Sequence, residues 1–283
     1  MREPFARTPA EPFFLKTDHG TRFCLYHHPR STDRCRGALI YIHPFGDEMN
    51  KSRRMAAMQA RSFATAGFGV LQIDLFGCGD SSGEFREARW DIWKQDLLAA
   101  KEWIEDRTKA PISLWGLRLG ALLALDFAKS SPPGIHGIIL WQPVTSGESF
   151  ITQFLRLQLA NEMLTGDQKK KGSTSVLRNA LAEGKTLEVA GYELDPELAA
   201  TIDGLKAADL AVRGTCIHWF EMVTEEGRAL PPSTKKTVDA WGQQDIDVHM
   251  HLVTCLPFWA TQEISECSQL IAATTEAYAG HDE

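Results

Sequence analysis

The sequence has no apolar run close to the ~18 residues that a membrane-spanning helix needs. Its first 30 residues mix charges with prolines and lack the continuous apolar core of a secretory signal. It also lacks a long basic run, and its formal net charge is −7, which argues against nucleic-acid binding and adhesion to anionic membranes. The short basic patch at residues 169–171 is interpreted as a solvated loop. We therefore expect a cytoplasmic protein with no nucleic-acid partner and no membrane insertion.

The sequence also lacks C-x-x-C pairs and the spacing of a metal-ligand set. Several of its cysteines fall in predicted strands, so we interpret them as reduced thiols, which favours the cytoplasm. We expect no metal and no cofactor. The cysteines are Cys24, Cys35, Cys78, Cys216, Cys255 and Cys267.

Continuous apolar runs alternate with helical patterns along most of the chain, which predicts a parallel sheet covered by helices on both faces. Before them, a turn signal at residues 18–20 separates two strand-like runs and predicts an antiparallel hairpin. The later strands are expected at residues 38–42, 69–75, 112–115, 137–141, 216–222 and 248–254. The helices are expected at residues 51–66, 90–107, 118–129, 232–241 and 261–278.

One segment, residues 145–206, interrupts this alternation with helical patterns around a polar loop at residues 166–174. An insertion on the carboxyl side of two strands lies over the crevice where open α/β sheets bind ligands. We therefore predict a helical cap at 145–206 on a core made of residues 1–144 and 207–283. Apolar side chains of the cap either pack it onto the core or line a pocket; they are Phe150, Phe154, Leu155 and Leu157.

Before this segment, residues 112–124 show the layout of a G-x-S-x-G nucleophile elbow: a β-type run is followed by a small-residue turn and an Ala/Leu-rich helix. Gly116 and Gly120 supply the small residues that let such a helix pack close to the strand. The central position, where the serine belongs, holds Arg118. A guanidinium stays protonated at physiological pH and cannot attack a carbonyl carbon. The scaffold indicates a hydrolase, whereas Arg118 argues against ordinary hydrolysis.

Two further motifs precede the elbow, each after a predicted strand: His43-Pro44-Phe45-Gly46 and the Asp-x-x-Gly-x-Gly-x-Ser-x-Gly block at residues 74–83. Together with the elbow they resemble the α/β-hydrolase fold over nearly the whole chain. The resemblance implies a doubly wound, mostly parallel eight-stranded sheet with a helical cap. It also implies an oxyanion hole formed by the backbone N–H groups of Phe45, beside Gly46, and Leu119.

A narrower resemblance is carried by the arginine elbow and by residues 140–147, 153–157 and 257–259. These segments are similar to the exosortase A system-associated hydrolases of type 2, which are encoded with bacterial exopolysaccharide and protein-sorting machinery. The resemblance implies a bacterial cytoplasmic accessory protein, a hydrolase by fold, with a protein partner in envelope polysaccharide biogenesis.

The other two positions of a catalytic triad are also altered. The acid would fall after the penultimate strand, at Val223 or Thr224, with Glu225 as a shifted candidate. The histidine would follow the last strand, but residues 256–263 contain none, and His281 lies at the C-terminus, where fraying is expected. The Ser-His-Asp relay is therefore absent.

Non-standard catalytic residues remain an alternative. Cys78 and His43 lie on neighbouring predicted loops, and with Glu225 they could serve an active esterase or thioesterase. His249 and His251 alternate in a predicted strand, so we expect them to share one sheet face in a packing or edge role.

Arg118 itself needs a negative partner, because a lone cation at a helix N-terminus is unfavourable. A guanidinium there suits bidentate binding of a carboxylate or phosphate. The partner is therefore a small anionic or acyl ligand, a group on another protein, or an internal carboxylate. The internal candidates are Glu221, Glu225, Glu263 and Asp80. A further alternative is a structural module whose pocket is filled by its own side chains.

Overall fold

The computed structural model describes residues 10–30, 35–130, 134–164 and 173–280. For residues 161–164 it describes the backbone but not the side chains. Most of the predicted polar loop, the basic patch and His281 lie outside the described residues. No helix within the described ranges is both long and apolar enough to cross a membrane. All six cysteines are free thiols.

The helices and strands alternate along most of the chain. In chain order they are β1 (Glu11–Thr17), β2 (Gly20–His27), β3 (Gly37–Ile42), α1 (Asp47–Thr65), β4 (Phe68–Ile73), α2 (Trp90–Thr108), β5 (Ile112–Leu117), α3 (Leu119–Ser130), β6 (Ile135–Trp141), α4 (Gly147–Leu164), α5 (Thr174–Ala182), β7 (Leu187–Val189), β8 (Tyr192–Leu194), α6 (Pro196–Asp203), β9 (Cys216–Val223), α7 (Pro232–Gly242), β10 (Val248–Thr254) and α8 (Ser268–Ala279).

Eight of the strands form one sheet in the order β1-β2-β4-β3-β5-β6-β9-β10. β1, β2 and β4 pair antiparallel in succession, and the remaining neighbours pair in parallel. The hairpin turns at Gly20, whose φ of +96° suits a residue without a Cβ. This topology confirms the predicted α/β-hydrolase fold with a mostly parallel eight-stranded sheet.

The sheet separates two hydrophobic cores because its central strands are buried on both faces. Ile40 and Ile42 of β3 point into a core shared with α2 and α3, whereas Leu39 and Tyr41 point into a core shared with α1 and α8. Continuous apolar runs such as β3 therefore reflect helices on both faces, as the parallel-sheet pattern predicts.

The segment between β6 and β9, which we call the cap, leaves the main sheet after β6 and returns to it at β9. Its two ends meet where Gly147 N–H donates to the Leu205 carbonyl at 2.9 Å and Ala207 N–H donates to the Thr145 carbonyl at 3.0 Å. Besides the helices α4, α5 and α6 it contains the short hairpin β7–β8, which the sequence patterns did not predict. The hairpin turns through Ala190 and Gly191, both at positive φ, and alanine is not a usual signal for such a turn.

The last helix differs from the prediction. It begins at Ser268, not at residue 261, and residues 255–267 form a loop after β10. Phe258 and Trp259 are 1% and 7% exposed, so this loop is anchored in the main body of the molecule. Residues 261–267 therefore belong to this loop and not to the first turns of the predicted helix.

Candidate functional site

The elbow turn has the strained backbone of a nucleophile elbow although it carries an arginine. Arg118 lies between β5 and α3 with φ +56°, a left-handed conformation that costs a non-glycine residue of order 1 kcal/mol. Its N–H donates to the Trp141 carbonyl at 2.9 Å, and its own carbonyl accepts from Val144 N–H at 3.2 Å. These two contacts, one to the last residue of β6 and one to the chain just after it, hold the turn in place.

The flanking glycines are required by close backbone contacts. A Cβ on Gly116 would lie 2.5 Å from the Ala121 Cα, and one on Gly120 would lie 2.3 Å from the Ile42 carbonyl oxygen. Both distances are shorter than a carbon side chain tolerates. The structure thus keeps the tight strand-to-helix approach that the elbow motif predicts.

The Arg118 side chain lies between a carboxylate and an aromatic ring. Its Nε donates to Oε1 of Glu48 at 3.4 Å, and its Cζ lies 5.5 Å from the centre of the Trp259 ring. The side chains of Arg118 and Glu48 are 17% and 24% exposed, so this pair is partly accessible to solvent. We call these three residues the elbow cluster.

Glu48 belongs to the first turn of α1, where a negative charge is favoured by the helix dipole. Burial raises the pKa of its carboxyl, and the charge of Arg118 and its hydrogen bond act in the opposite direction. Glu48 Oε2 is buried and has no hydrogen-bond partner among the described residues. The cluster therefore contains one carboxylate oxygen whose hydrogen-bonding capacity is unused.

Glu48 was not among the carboxylates proposed from the sequence as partners of Arg118. Glu221 is buried and accepts hydrogen bonds from Trp219, Thr234 and Gln142. Glu221 therefore connects β9 to Gln142, which follows β6, and to Thr234 of α7. The other candidates, Glu225, Glu263 and Asp80, are exposed, and Asp80 N–H donates to Asp74.

The triad's acid and base positions hold other residues. After β9 both Thr224 and Glu225 are exposed. After β10, the loop at residues 255–267 has no histidine, and the side chain that it places against the elbow is Trp259. An indole has no basic nitrogen that could accept a proton from a nucleophile. The loop after β10 therefore brings an aromatic ring, and not an imidazole, next to Arg118.

His43 and Cys78 line the same small cavity, whose volume is about 10 Å³. His43 Nδ1 lies 2.7 Å from the Pro44 carbonyl and its Nε2 accepts from Leu75 N–H at 3.2 Å, so both ring nitrogens bond to the backbone. Burial lowers the pKa of His43. Burial also raises the pKa of the Cys78 thiol, and Asp74 adds to that shift. This arrangement provides neither a free base nor a thiolate.

The predicted oxyanion loop is packed under the cap. Phe45 is 5% exposed, and its ring lies 5.5 Å from Phe150 and 5.0 Å from Phe154, measured between centroids. Leu119 begins α3, so its N–H is one of the donors that a helix leaves unpaired at its start. Gly46 precedes α1 with φ +57°. The buried cap phenylalanines therefore pack the insertion onto Phe45 of the core.

Other apolar cap residues differ in their burial. Leu155 is fully buried, whereas Leu157 is 50% exposed. A single helix of the cap thus presents one apolar side chain to the interior and another to solvent.

The motif at residues 74–83 ties its loop to β2. Ser81 Oγ accepts from Phe23 N–H at 2.9 Å, and Ser82 Oγ accepts from Thr21 N–H at 3.0 Å. Ser81 Oγ also donates to the Asp74 carbonyl at 2.5 Å. These serines hold the backbone of the loop and so have a structural role.

The sheet, the inserted cap and the elbow define a protein of the α/β-hydrolase class. The chain belongs to the Hydrolase_4 family, described as serine aminopeptidase, S33, whose model matches residues 33–198 and so more than half of the chain. The loops after β9 and β10, which bear the acid and base positions, lie beyond this match.

Similar proteins include human Protein ABHD12B (Homo sapiens), which is 26% identical over 171 residues. That match covers 52% of this chain, and the chain spans only 45% of the human protein's length. Two solved structures share the fold at low identity. The ferulic acid complex of Est1E from Butyrivibrio proteoclasticus has a TM-score of 0.69 at 15% identity, covering 95% of this chain and 97% of that one. A thermostable carboxyl esterase from Bacillus coagulans has a TM-score of 0.67 at 13% identity, covering 97% and 98%.

Proposed function

We propose that this chain is a binding or accessory protein built on the α/β-hydrolase fold, without serine-hydrolase turnover. The observation that carries the proposal is the elbow cluster. Arg118 stands in the nucleophile's place on an otherwise standard elbow, paired with Glu48 and covered by Trp259. A cation in that position neither attacks an acyl carbon nor gains a general base from the ring above it.

The elbow cluster offers a ligand both donors and an acceptor. A guanidinium has five N–H donors, and Arg118 uses Nε for Glu48. Glu48 Oε2 is an acceptor without a partner among the described residues, and a buried polar atom in that state is costly. A ligand with an anionic group beside a hydroxyl would satisfy both side chains once a shift of the Glu48 side chain exposes Oε2, which is buried in the ligand-free chain. We therefore propose a small hydroxylated acid, such as a hexuronic acid, as the ligand class.

The same site is poorly arranged for an acyl ligand. We propose that an acyl chain would have to lie beneath the cap, where the rings of Phe45, Phe150 and Phe154 already pack against each other. Binding of an acyl group would have to displace buried aromatic side chains, each of which contributes to cap packing. This contrast favours the anionic ligand over the acyl one.

We propose the biological setting from the resemblance of several sequence segments to the exosortase A system-associated hydrolases of type 2. We propose that the protein acts in the bacterial cytoplasm with a partner from the exopolysaccharide machinery. An acidic sugar is a ligand that suits both this setting and the elbow cluster. The free state of all six cysteines agrees with a reducing compartment.

The alternative, an active esterase or thioesterase, lacks a supporting contact among the described residues. Both nitrogens of His43 bond to the backbone, the pKa of Cys78 is raised by burial, and Glu225 is exposed. None of the three has a hydrogen bond that would activate another.

Ligand binding can be tested by calorimetry with three probes: glucuronate, glucose and acetate. Glucuronate should bind more tightly than either of the others, because it alone combines a carboxylate with hydroxyl groups. Arg118→Ala and Glu48→Ala should each weaken glucuronate binding about ten-fold or more, because each removes a hydrogen-bonding group of the cluster and with it a hydrogen bond to a charged group. Arg54→Ala, an exposed cation on the same helix as Glu48, is the matched control and should bind as the wild type does.

Two outcomes would contradict the proposal. One is that none of the three probes binds to the wild type. The other is that Arg118→Ala and Glu48→Ala bind glucuronate as well as Arg54→Ala does, since binding would then lie elsewhere on the molecule.

A further inference from the structure

The strands β9 and β10, at one edge of the sheet, carry a dense group of cysteine, histidine and aspartate side chains, which are residue types that bind metal ions. Cys216 and His218 alternate along β9, and His249 and His251 alternate along β10. The strands are parallel, with His249 opposite His218. Because paired residues of neighbouring strands share a face, all four side chains lie on the same side of the sheet. Asp247 joins them immediately before β10.

The donor atoms converge. The sulfur of Cys216, a carboxylate oxygen of Asp247 and an imidazole nitrogen of His249 all lie within 4.8 Å of one another. His249 Nε2 and Asp247 Oδ1 are 3.0 Å apart, and His218 Nε2 is 3.6 Å from Cys216 Sγ. In a tetrahedral zinc site, with Zn–S of about 2.3 Å and Zn–N of about 2.05 Å, sulfur and nitrogen ligands lie about 3.6 Å apart. Cys216 and His218 already have this separation.

His251 forms a hydrogen bond with His218 on the side of the ring away from Cys216. Its Nε2 lies 3.2 Å from Nδ1 of His218, so one ring donates to the other. When His218 Nδ1–H is the donor, its Nε2 keeps a lone pair directed toward Cys216. Metal-bound histidines are usually oriented in this way by a partner on the second nitrogen. His251 is itself stacked on Phe220 at a centroid distance of 4.4 Å, which fixes its ring.

We propose that Cys216, Asp247 and His249, with His218 as the fourth ligand, form a binding site for Zn²⁺. Thiolate, imidazole and carboxylate together suit this borderline-soft ion. A zinc site here would contradict the expectation of no metal, which was based on cysteine spacing alone. That spacing could not reveal the site, because its ligands come from two strands and not from one short motif.

The position of the site argues for a structural role. Cys216 begins β9 and Asp247 precedes β10, so the ligands lie at the amino ends of these strands. Arg118 follows the carboxyl end of β5. Because β5, β6 and β9 run in parallel, Arg118 lies at the opposite end of the strands from the proposed ligands. A bound ion would join the edge strand β10 to β9 without taking part in chemistry at the elbow cluster. The Asp247 and His249 side chains are 58% and 44% exposed, which gives an ion access from solvent.

Cobalt substitution tests this site directly. The chain is first dialysed against a chelator and then titrated with Co²⁺. Wild type should develop a thiolate-to-cobalt charge-transfer band and tetrahedral visible bands, and Zn²⁺ should displace both. Cys216→Ser should lose the charge-transfer band, whereas the matched control Cys35→Ser, a part-buried thiol elsewhere in the chain, should retain it.

Two more variants measure affinity by competition with a chromophoric chelator. His249→Gln alters a side chain that is 44% exposed, so we expect the variant to fold, and it should weaken Zn²⁺ binding at least ten-fold. His251→Phe keeps the stacking on Phe220 but removes the bond to His218, and it should weaken binding by about 10–100-fold. The proposal is overturned if wild type shows no charge-transfer band, if Cys216→Ser keeps it, or if all variants bind Zn²⁺ equally.

Discussion

Replacing Arg118 with alanine removes the cation of the elbow cluster and leaves Glu48 without its partner. Loss of one member of a fully buried ion pair costs about 3–5 kcal/mol. Here the two side chains are 17% and 24% exposed, and the Nε–Oε1 distance of 3.4 Å is long. Partial solvation reduces the expected cost to about 2 kcal/mol. Loss of the contact with the Trp259 ring adds about 0.5–1 kcal/mol.

The cost should depend on pH because burial raises the pKa of Glu48. Between the unfolded value of about 4.3 and the higher folded value, the folded chain binds more protons than the unfolded chain. Stability therefore falls as pH rises through this window, and the penalty is absent below it. Arg118 lowers the pKa of Glu48, so its removal extends the window upward and increases the penalty at neutral pH.

Thermal unfolding of wild type, Arg118→Ala, Glu48→Gln and the double variant at pH 4 and pH 7.5 checks this reasoning. Arg118→Ala should lower the melting temperature by about 4–8 °C at pH 7.5 and by less at pH 4. Adding Glu48→Gln should restore at least half of the loss, because no unpaired charge remains. A loss below about 0.5 kcal/mol at both pH values, or no recovery in the double variant, would refute it.

An internal benchmark is available in the pair Arg22–Asp96. Its Nε–Oδ1 distance is 2.6 Å, and the side chains are 0% and 1% exposed. Arg22→Ala should therefore cost about 3–5 kcal/mol, more than Arg118→Ala. The reverse order in the same unfolding experiment would show that exposure does not set the strength of these pairs.

Three other variants have definite expected outcomes. Arg118→Ser should hydrolyse p-nitrophenyl butyrate no faster than wild type, because Trp259 and not a histidine faces the elbow; a saturable initial rate would contradict this. Gly120→Ala should lose about 1–3 kcal/mol or more in urea unfolding, or fail to fold, since its Cβ would meet a carbonyl oxygen at 2.3 Å. Gly242→Ala, with open space at that position, is its control and should be near neutral. Phe154→Ala should cost about 3 kcal/mol and speed limited proteolysis of the cap; unchanged cleavage would show that Phe154 does not anchor it.

Local patterns determine most of the fold, because burial on both faces leaves a direct trace in sequence. The fully apolar run of β3 and the Gly116–Gly120 turn each reflect a backbone arrangement confined to a few neighbouring residues. The ends of the helices were less predictable from the sequence. α8 starts at Ser268 after a loop in which Phe258 and Trp259 are buried, and helix propensity does not reveal such tertiary packing.

The elbow cluster was only partly predictable for a similar reason. Arg118 was evident because a motif fixed its position, but Glu48 lies 70 residues earlier and meets it only through the tertiary fold. Its place in the first turn after the His43 loop was the one local signal. The Zn²⁺ ligands also had a signal, since Cys216-x-His218 and Asp247-x-His249-x-His251 follow the two-residue period of a strand face. The pairing of β9 with β10 brings the two series together.

The most direct test of the central claim is steady-state hydrolysis of short-chain p-nitrophenyl esters by the wild-type chain, compared with a fluorophosphonate labelling experiment on the same preparation. A protein whose elbow holds Arg118 between Glu48 and Trp259 should show no saturable turnover and no labelling. Saturable turnover that is abolished by a single substitution at Cys78, His43 or Glu225 would contradict the account and establish an active hydrolase.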